Sequence, residues 1–203
     1  MKKILAVLLA TSSVAVFADT FQDFNNNLYA QYAYTNTTVG SASAYSNIYG
    51  IGGTFQSKND VWLNANASSA NTPNSEFNNG NSGLMNIRAG YGFQFFGDDD
   101  SGFQVIPYVS FGTVDNANYQ WGVGVQPEYR LLSSLKVDLG LGLSGANGGT
   151  DGTTTFGFNV NPEVQYDISK TILVGVGYNY ASQFNSENEL NYNTLYARVG
   201  YLF

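Results

Sequence analysis

The 203-residue sequence contains no histidine and no cysteine. Without a thiol there is no disulfide framework, no thiol nucleophile and none of the usual zinc sites; without an imidazole the commonest general acid and base near neutral pH is missing. Charged residues make up only 11% of the chain, and the strand-forming aromatics with Gly and Asn that take their place argue for an all-β chain. No stretch after residue 18 approaches the ~20 continuous apolar residues of a spanning helix, and no amphipathic helix is evident there. Beyond residue 18, six basic residues face 15 acidic ones, which excludes nucleic acid as a partner on electrostatic grounds.

The first 18 residues differ in kind. Lys2 and Lys3 are followed by the apolar run Ile4 to Ala10, and Val16-Phe17-Ala18 offers short side chains where a signal peptidase reads them. Thr11, Ser12 and Ser13 interrupt the run, so it is too short for a membrane anchor. Residues 1–18 are therefore expected to be a signal peptide cleaved after Ala18, leaving 19–203 as one domain. An exported domain without disulfides needs another source of stability, and a closed hydrogen-bonded barrel supplies one.

What the chain has in abundance is tyrosine (15), phenylalanine (14) and glycine (23), in runs that alternate apolar with small or polar residues. Period-two alternation is the signature of a two-faced strand. After an acidic, Asn-rich lead-in (19–27), such runs cover 28–34, 45–55, 61–67, 85–95, 103–111, 119–131, 135–144, 156–168 and 172–180, with a closing run at 195–203. Connections after the even-numbered runs are short. Those after the odd-numbered runs are on the whole longer and richer in Asn, Ser, Thr and Gly, notably 68–83, 145–152 and 182–189. The expected fold is all-β: an antiparallel up-and-down barrel of ten strands, or of eight if the sparser first and third runs fail.

The closing run carries the most specific signal. Leu195, Ala197, Val199, Tyr201 and Phe203 share one face, and the chain stops on the aromatic Phe203. This resembles the C-terminal signature that insertion machinery reads in bacterial outer-membrane barrels, and the whole pattern is similar to the small OmpA/OmpX-like barrel superfamily. The resemblance implies a transmembrane barrel in the outer membrane, with lipids and the barrel-insertion machinery as partners and a monomeric state. Short turns would then face the periplasm and long loops the exterior.

A lipocalin-like barrel would place the apolar faces inside instead. Aromatics near the ends of those faces (Tyr45 and Phe55, Phe103 and Phe111, Tyr119 and Tyr129), the many glycines opposite them and the missing Gly-x-Trp motif favour lipid contact. The polar faces then bring Arg88, Arg130, Lys136 and Arg198 into the lumen with Glu128, Asp138, Glu163 and Asp167. In a barrel of this size these eight form either a rigid ion-pair core or a narrow filter for small solutes.

Catalysis finds no support. The enzymes known among outer-membrane barrels depend on a histidine that is absent here, and Glu128 with Glu163 reads better as part of the ion-pair lumen than as an acid/base couple. Asp98-Asp99-Asp100-Ser101-Gly102 lacks the spacing of a calcium loop, since Val109 stands where the twelfth-position Glu belongs. The loop 145–152 has no lysine for phosphate. No cofactor or metal is expected. Two function classes remain: a structural or narrow-pore barrel, and a surface-recognition protein that uses its extracellular loops.

Overall fold

All ten alternating runs fall on strands in the computed structural model, which describes residues 21–72, 80–97, 101–114, 118–148, 153–184 and 189–203. A short helix, α1 (Gln22–Asn25), leads into β1 (Asn27–Val39), β2 (Ala42–Gln56), β3 (Val61–Thr72), β4 (Gly80–Tyr91), β5 (Phe93–Gly97), β6 (Gly102–Val114), β7 (Asn118–Leu132), β8 (Leu135–Gly148), β9 (Thr153–Asp167), β10 (Ile172–Phe184) and β11 (Glu189–Leu202). Neighbours are antiparallel, and the sheet closes where β11 pairs with β1 and β4 with β6.

The barrel wall has ten staves. β4 pairs with β6 down to Gly90↔Tyr108, and β5 resumes the same register at Phe93↔Val105, so β5 is the tail of the fourth stave beyond a break at Gly92. A Cβ on Gly92 would lie 2.8 Å from Gln104 Oε1 and 2.9 Å from Gln56 Nε2; only glycine lets the lumen amides approach there. The ten-strand expectation is met and the eight-strand alternative is not. The closing strand pairs with the first from Asn27↔Leu202 to Val39↔Leu190, removing the free edges that an open sheet would present.

The faces are inverted relative to a soluble barrel. Val109, Phe111, Leu143, Val176, Leu195 and Val199 are each more than half exposed, while Gln104, Glu128, Lys136 and Gln165 are at most 2% exposed. That excludes the lipocalin-like alternative. Tyr129 and Trp121 bracket the apolar exterior of β7. Eight residues of strand span about 26 Å, or about 20 Å of height at a tilt of ~40°, close to the apolar band of a membrane barrel.

One expectation needs correction. Of the segments read as loops, 68–72, 80–83, 145–148, 182–184 and 189 continue their strands, and the remainder (73–79, 149–152, 185–188) lies outside the described residues. The connection after the first run is a tight turn at Gly40-Ser41, with Gly40 at φ 58°. Asn, Ser and Thr mark where a strand leaves the apolar layer, but the ladder is made by backbone groups and runs on without apolar side chains. Residues 1–18 and 98–100 also lie outside the described residues.

Candidate functional site

Three carboxylates stand in a row inside the barrel. Glu128 on β7 is in register with Asp138 on β8, which is in register with Glu163 on β9, and none of the three is more than 7% exposed. Like charges directly opposed across strands repel, and a buried charge without a partner costs several kcal/mol. Two cations offset this. Lys136 Nζ lies 3.3 Å from both Glu128 Oε1 and Asp138 Oδ1. Arg198 Nε lies 2.5 Å from Glu163 Oε1, with its guanidinium 4.7 Å from the centre of the Tyr29 ring.

Neutral donors complete the network. Gln104 Nε2 (2.6 Å) and Asn25 Nδ2 (2.8 Å) donate to Glu128 Oε2, and Gln126 Nε2 (2.7 Å) donates to Glu128 Oε1. Gln165 Nε2 donates to Asp138 Oδ2. The Tyr196 hydroxyl donates to Glu163 Oε2 at 2.9 Å; its ring lies against Gly177, where any Cβ would overlap it. Gly177→Ala should therefore displace Tyr196 and lower the urea midpoint of the refolded barrel, and an unchanged midpoint would show that the ring has room to shift.

The lead-in does more than the sequence suggested. α1 lies across the turn end of the barrel, where Phe21, Gln22, Phe24 and Asn25 are all buried. Asn25 Nδ2 donates to Gln56 Oε1 at 2.7 Å as well as to Glu128, and Lys136 Nζ donates to Asn25 Oδ1 at 2.6 Å. Gln22 Nε2 reaches the Ser57 carbonyl, and the Gln56 backbone N–H donates to Asn26 Oδ1. Phe24 packs on Leu173 and Leu202. One turn of helix thus bridges β2, β7, β8, β10 and β11 at that opening. Its signal was present in the sequence: Leu173 and Leu202 are apolar on faces otherwise given to glycine and polar residues, so something apolar had to meet them.

The eight predicted lumen charges separate into distinct places. Glu128, Lys136, Asp138, Glu163 and Arg198 come together as described. Arg130 stays at the turn end, where its Nη2 donates to the Ser133 carbonyl at 3.2 Å and its guanidinium stacks 5.6 Å from the Phe24 ring centre. Arg88 stands farther along the barrel, 5.3 Å from the Tyr108 ring centre. The structure places Asp167 outside the network. It ends β9, and its Oδ1 accepts the backbone N–H groups of Ser169 (3.0 Å) and Lys170 (2.6 Å), capping the turn. Strand parity assigned its face, but a residue at a strand end answers first to the turn.

Beyond the network the lumen opens into a cavity of about 770 Å³. Its lining runs from Asn25 and Lys136 at the plug to Thr37, Thr72 and Thr155 near the loop ends, and is dominated by Asn, Thr, Ser and Gln side chains. It is a polar well with the charged network and α1 at its turn end. On the outside, Leu195, Ala197, Val199 and Tyr201 form the exposed face of β11, and Phe203 follows that strand with its N–H donating to the Asn26 carbonyl at 3.0 Å. Among the described residues there is no group of three or more carboxylates that could hold a metal ion.

No family model matches the sequence, and no curated protein matches it. Solved structures do. The transport unit of the autotransporter AIDA-I from Escherichia coli aligns over 98% of this chain and 97% of its own, with a TM-score of 0.53 at 10% identity. An outer membrane channel from Pseudomonas putida F1 covers 88% of this chain and 95% of its own, with a TM-score of 0.52 at 10% identity. The NanC porin covers 85% and 98%, with a TM-score of 0.52 at 12% identity. The chain has the fold of outer-membrane β-barrels.

Proposed function

We propose that this chain is a non-enzymatic bacterial outer-membrane barrel that stands closed at its periplasmic end, a rigid vessel rather than a free-flow pore. The observation that carries this reading is the knot of Asn25, Gln56, Glu128 and Lys136, which ties α1 across the turn-end opening. The exposed apolar exterior, bracketed by aromatics, supports placement in lipid. Residues 1–18 serve as the export signal, removed after Ala18. Leu195, Ala197, Val199, Tyr201 and Phe203 form the face that the insertion machinery reads, and the mature chain works as a monomer.

Conductance tests the closed state. The mature chain in a planar bilayer should show no steady ion current, and deletion of residues 19–26, which leaves β1 whole, should open one. A wild-type current equal to that of the deletion would overturn the reading.

A second reading, surface recognition, is favoured by one observation. The hairpins continue as paired strands past the aromatic band, as at Thr37–Val39 with Ala42–Ala44 and at Ala146–Asn147 with Thr154–Thr155. Such projections raise a binding surface above the membrane. Deleting the tips at 73–79, 149–152 and 185–188 should abolish attachment to cells or matrix while the barrel still folds; unchanged attachment would exclude it.

A further inference from the structure

We infer that the well holds a small organic monoanion, a carboxylate bearing hydroxyl groups, bound through Arg88. Five charged side chains line the cavity: Arg88, Lys136, Asp138, Glu163 and Arg198. The last four are engaged with each other or with Glu128. Among the described residues, Arg88 is the one charged group of the well in no ion pair. Its Cζ lies 5.3 Å from the centre of the Tyr108 ring, and a guanidinium carries a fork of N–H donors whose geometry matches a carboxylate.

The surroundings select the rest of the ligand. Asn64 on β3, Arg88 on β4 and Ser110 on β6 stand directly opposed across three strands. One step nearer the plug, Trp62, Gly90, Tyr108 and Gly124 form the adjoining row. The Tyr108 ring lies flat over Gly124, since a Cβ there would overlap the hydroxyl-bearing end of the ring, and Trp62 stands behind it at 6.1 Å between ring centres. An aromatic floor, a forked cation and flanking amides and hydroxyls suit a ligand with an apolar ring or carbon face, one carboxylate and several hydroxyls. A polyanion is disfavoured at the mouth. The segments that join strands there carry Glu76, Asp115, Asp151 and Glu187 and no basic residue. Gly80, at the loop end of β4, is eight residues from Arg88, about 26 Å along the strand. Over that distance screening by physiological salt, with a Debye length of about 8 Å, leaves the attraction for one charge intact.

This inference rests on the closed-vessel reading, because a site above a sealed floor retains ligand rather than passing it. Only two tryptophans exist, and Trp121 is on the outer face. In a Trp121→Phe background Trp62 becomes the sole reporter beside the well. Titrating the detergent-refolded barrel with gluconate should give a saturable change in Trp62 fluorescence. Arg88→Ala and Arg88→Gln should each weaken it at least tenfold, since Gln keeps an amide donor but neither the charge nor the reach of the guanidinium. Sorbitol, without the carboxylate, and inorganic phosphate, without the carbon skeleton, should bind at least tenfold more weakly than gluconate. Equal titrations for gluconate and phosphate, or gluconate binding unchanged in Arg88→Gln, would overturn the assignment. Because fluorescence reads the site and current reads the floor, a conducting barrel that still binds gluconate through Arg88 would overturn the closed reading alone.

Discussion

Replacing Lys136 with methionine should cost the refolded barrel about 3 to 5 kcal/mol, the range for removing one partner of a buried charge pair. The ammonium is 1% exposed and is shared by Glu128 and Asp138, themselves 0% and 6% exposed as side chains. Methionine fills the volume of the lysine stem but leaves two neighbouring carboxylates without their cation. It also takes the donor from Asn25 Oδ1 and so loosens the plug. Two measurements check this. Urea unfolding in lipid vesicles should show the lowered stability, and planar bilayers should show transient current where the wild type is silent. Adding Glu128→Gln to Lys136→Met should cost less than the sum of the two single changes, because a pair in contact is not additive. An unchanged urea midpoint in Lys136→Met would mean the ion pairs hold nothing that water cannot replace.

The second large effect lies on the opposite side of the wall. Val125 sits halfway between Tyr129 and Trp121 on the exterior of β7, between Pro107 and Leu141 on its neighbours. An arginine there meets the middle of the apolar band and should destabilise the folded state in lipid by about 2 to 4 kcal/mol. Arginine at Asn147, a polar position near the loop end of β8, should cost about 0 to 1 kcal/mol because depth sets the penalty. Equal effects at the two positions would place the membrane boundary elsewhere.

Those two residues differ in how far the sequence alone revealed them. Val125 belongs to an uninterrupted alternation, Tyr119 to Leu131, in which each residue's face follows from parity and from its neighbours' chemistry. Lys136 was assignable to the lumen by the same rule, yet its partners were not. Glu128 is one turn of the chain away, while Asn25 is 111 residues away in sequence, and no local pattern joins them. The same limit applies to Arg198 and Glu163, separated by 35 residues and united only by the register of β9, β10 and β11. Asp167 is the converse case, where parity assigned a face but the local turn captured the carboxylate.

Side-chain alternation in a strand is a local property, so the sequence by itself determined the all-β class, the ten strands, the outward apolar face and the closing strand Leu195 to Phe203. Tertiary structure alone decided three further things. Polar segments continue as strand, because ladder hydrogen bonds depend on the neighbouring backbone and not on side-chain polarity. The cations Lys136 and Arg198 are consumed by a row of three carboxylates, because strand register sets who faces whom. Arg88 is left to face the well, and α1 folds back across its turn end, because a four-residue turn too short to hold itself in water becomes stable only against Gln56, Glu128, Lys136, Leu173 and Leu202, which closure of the barrel brings together.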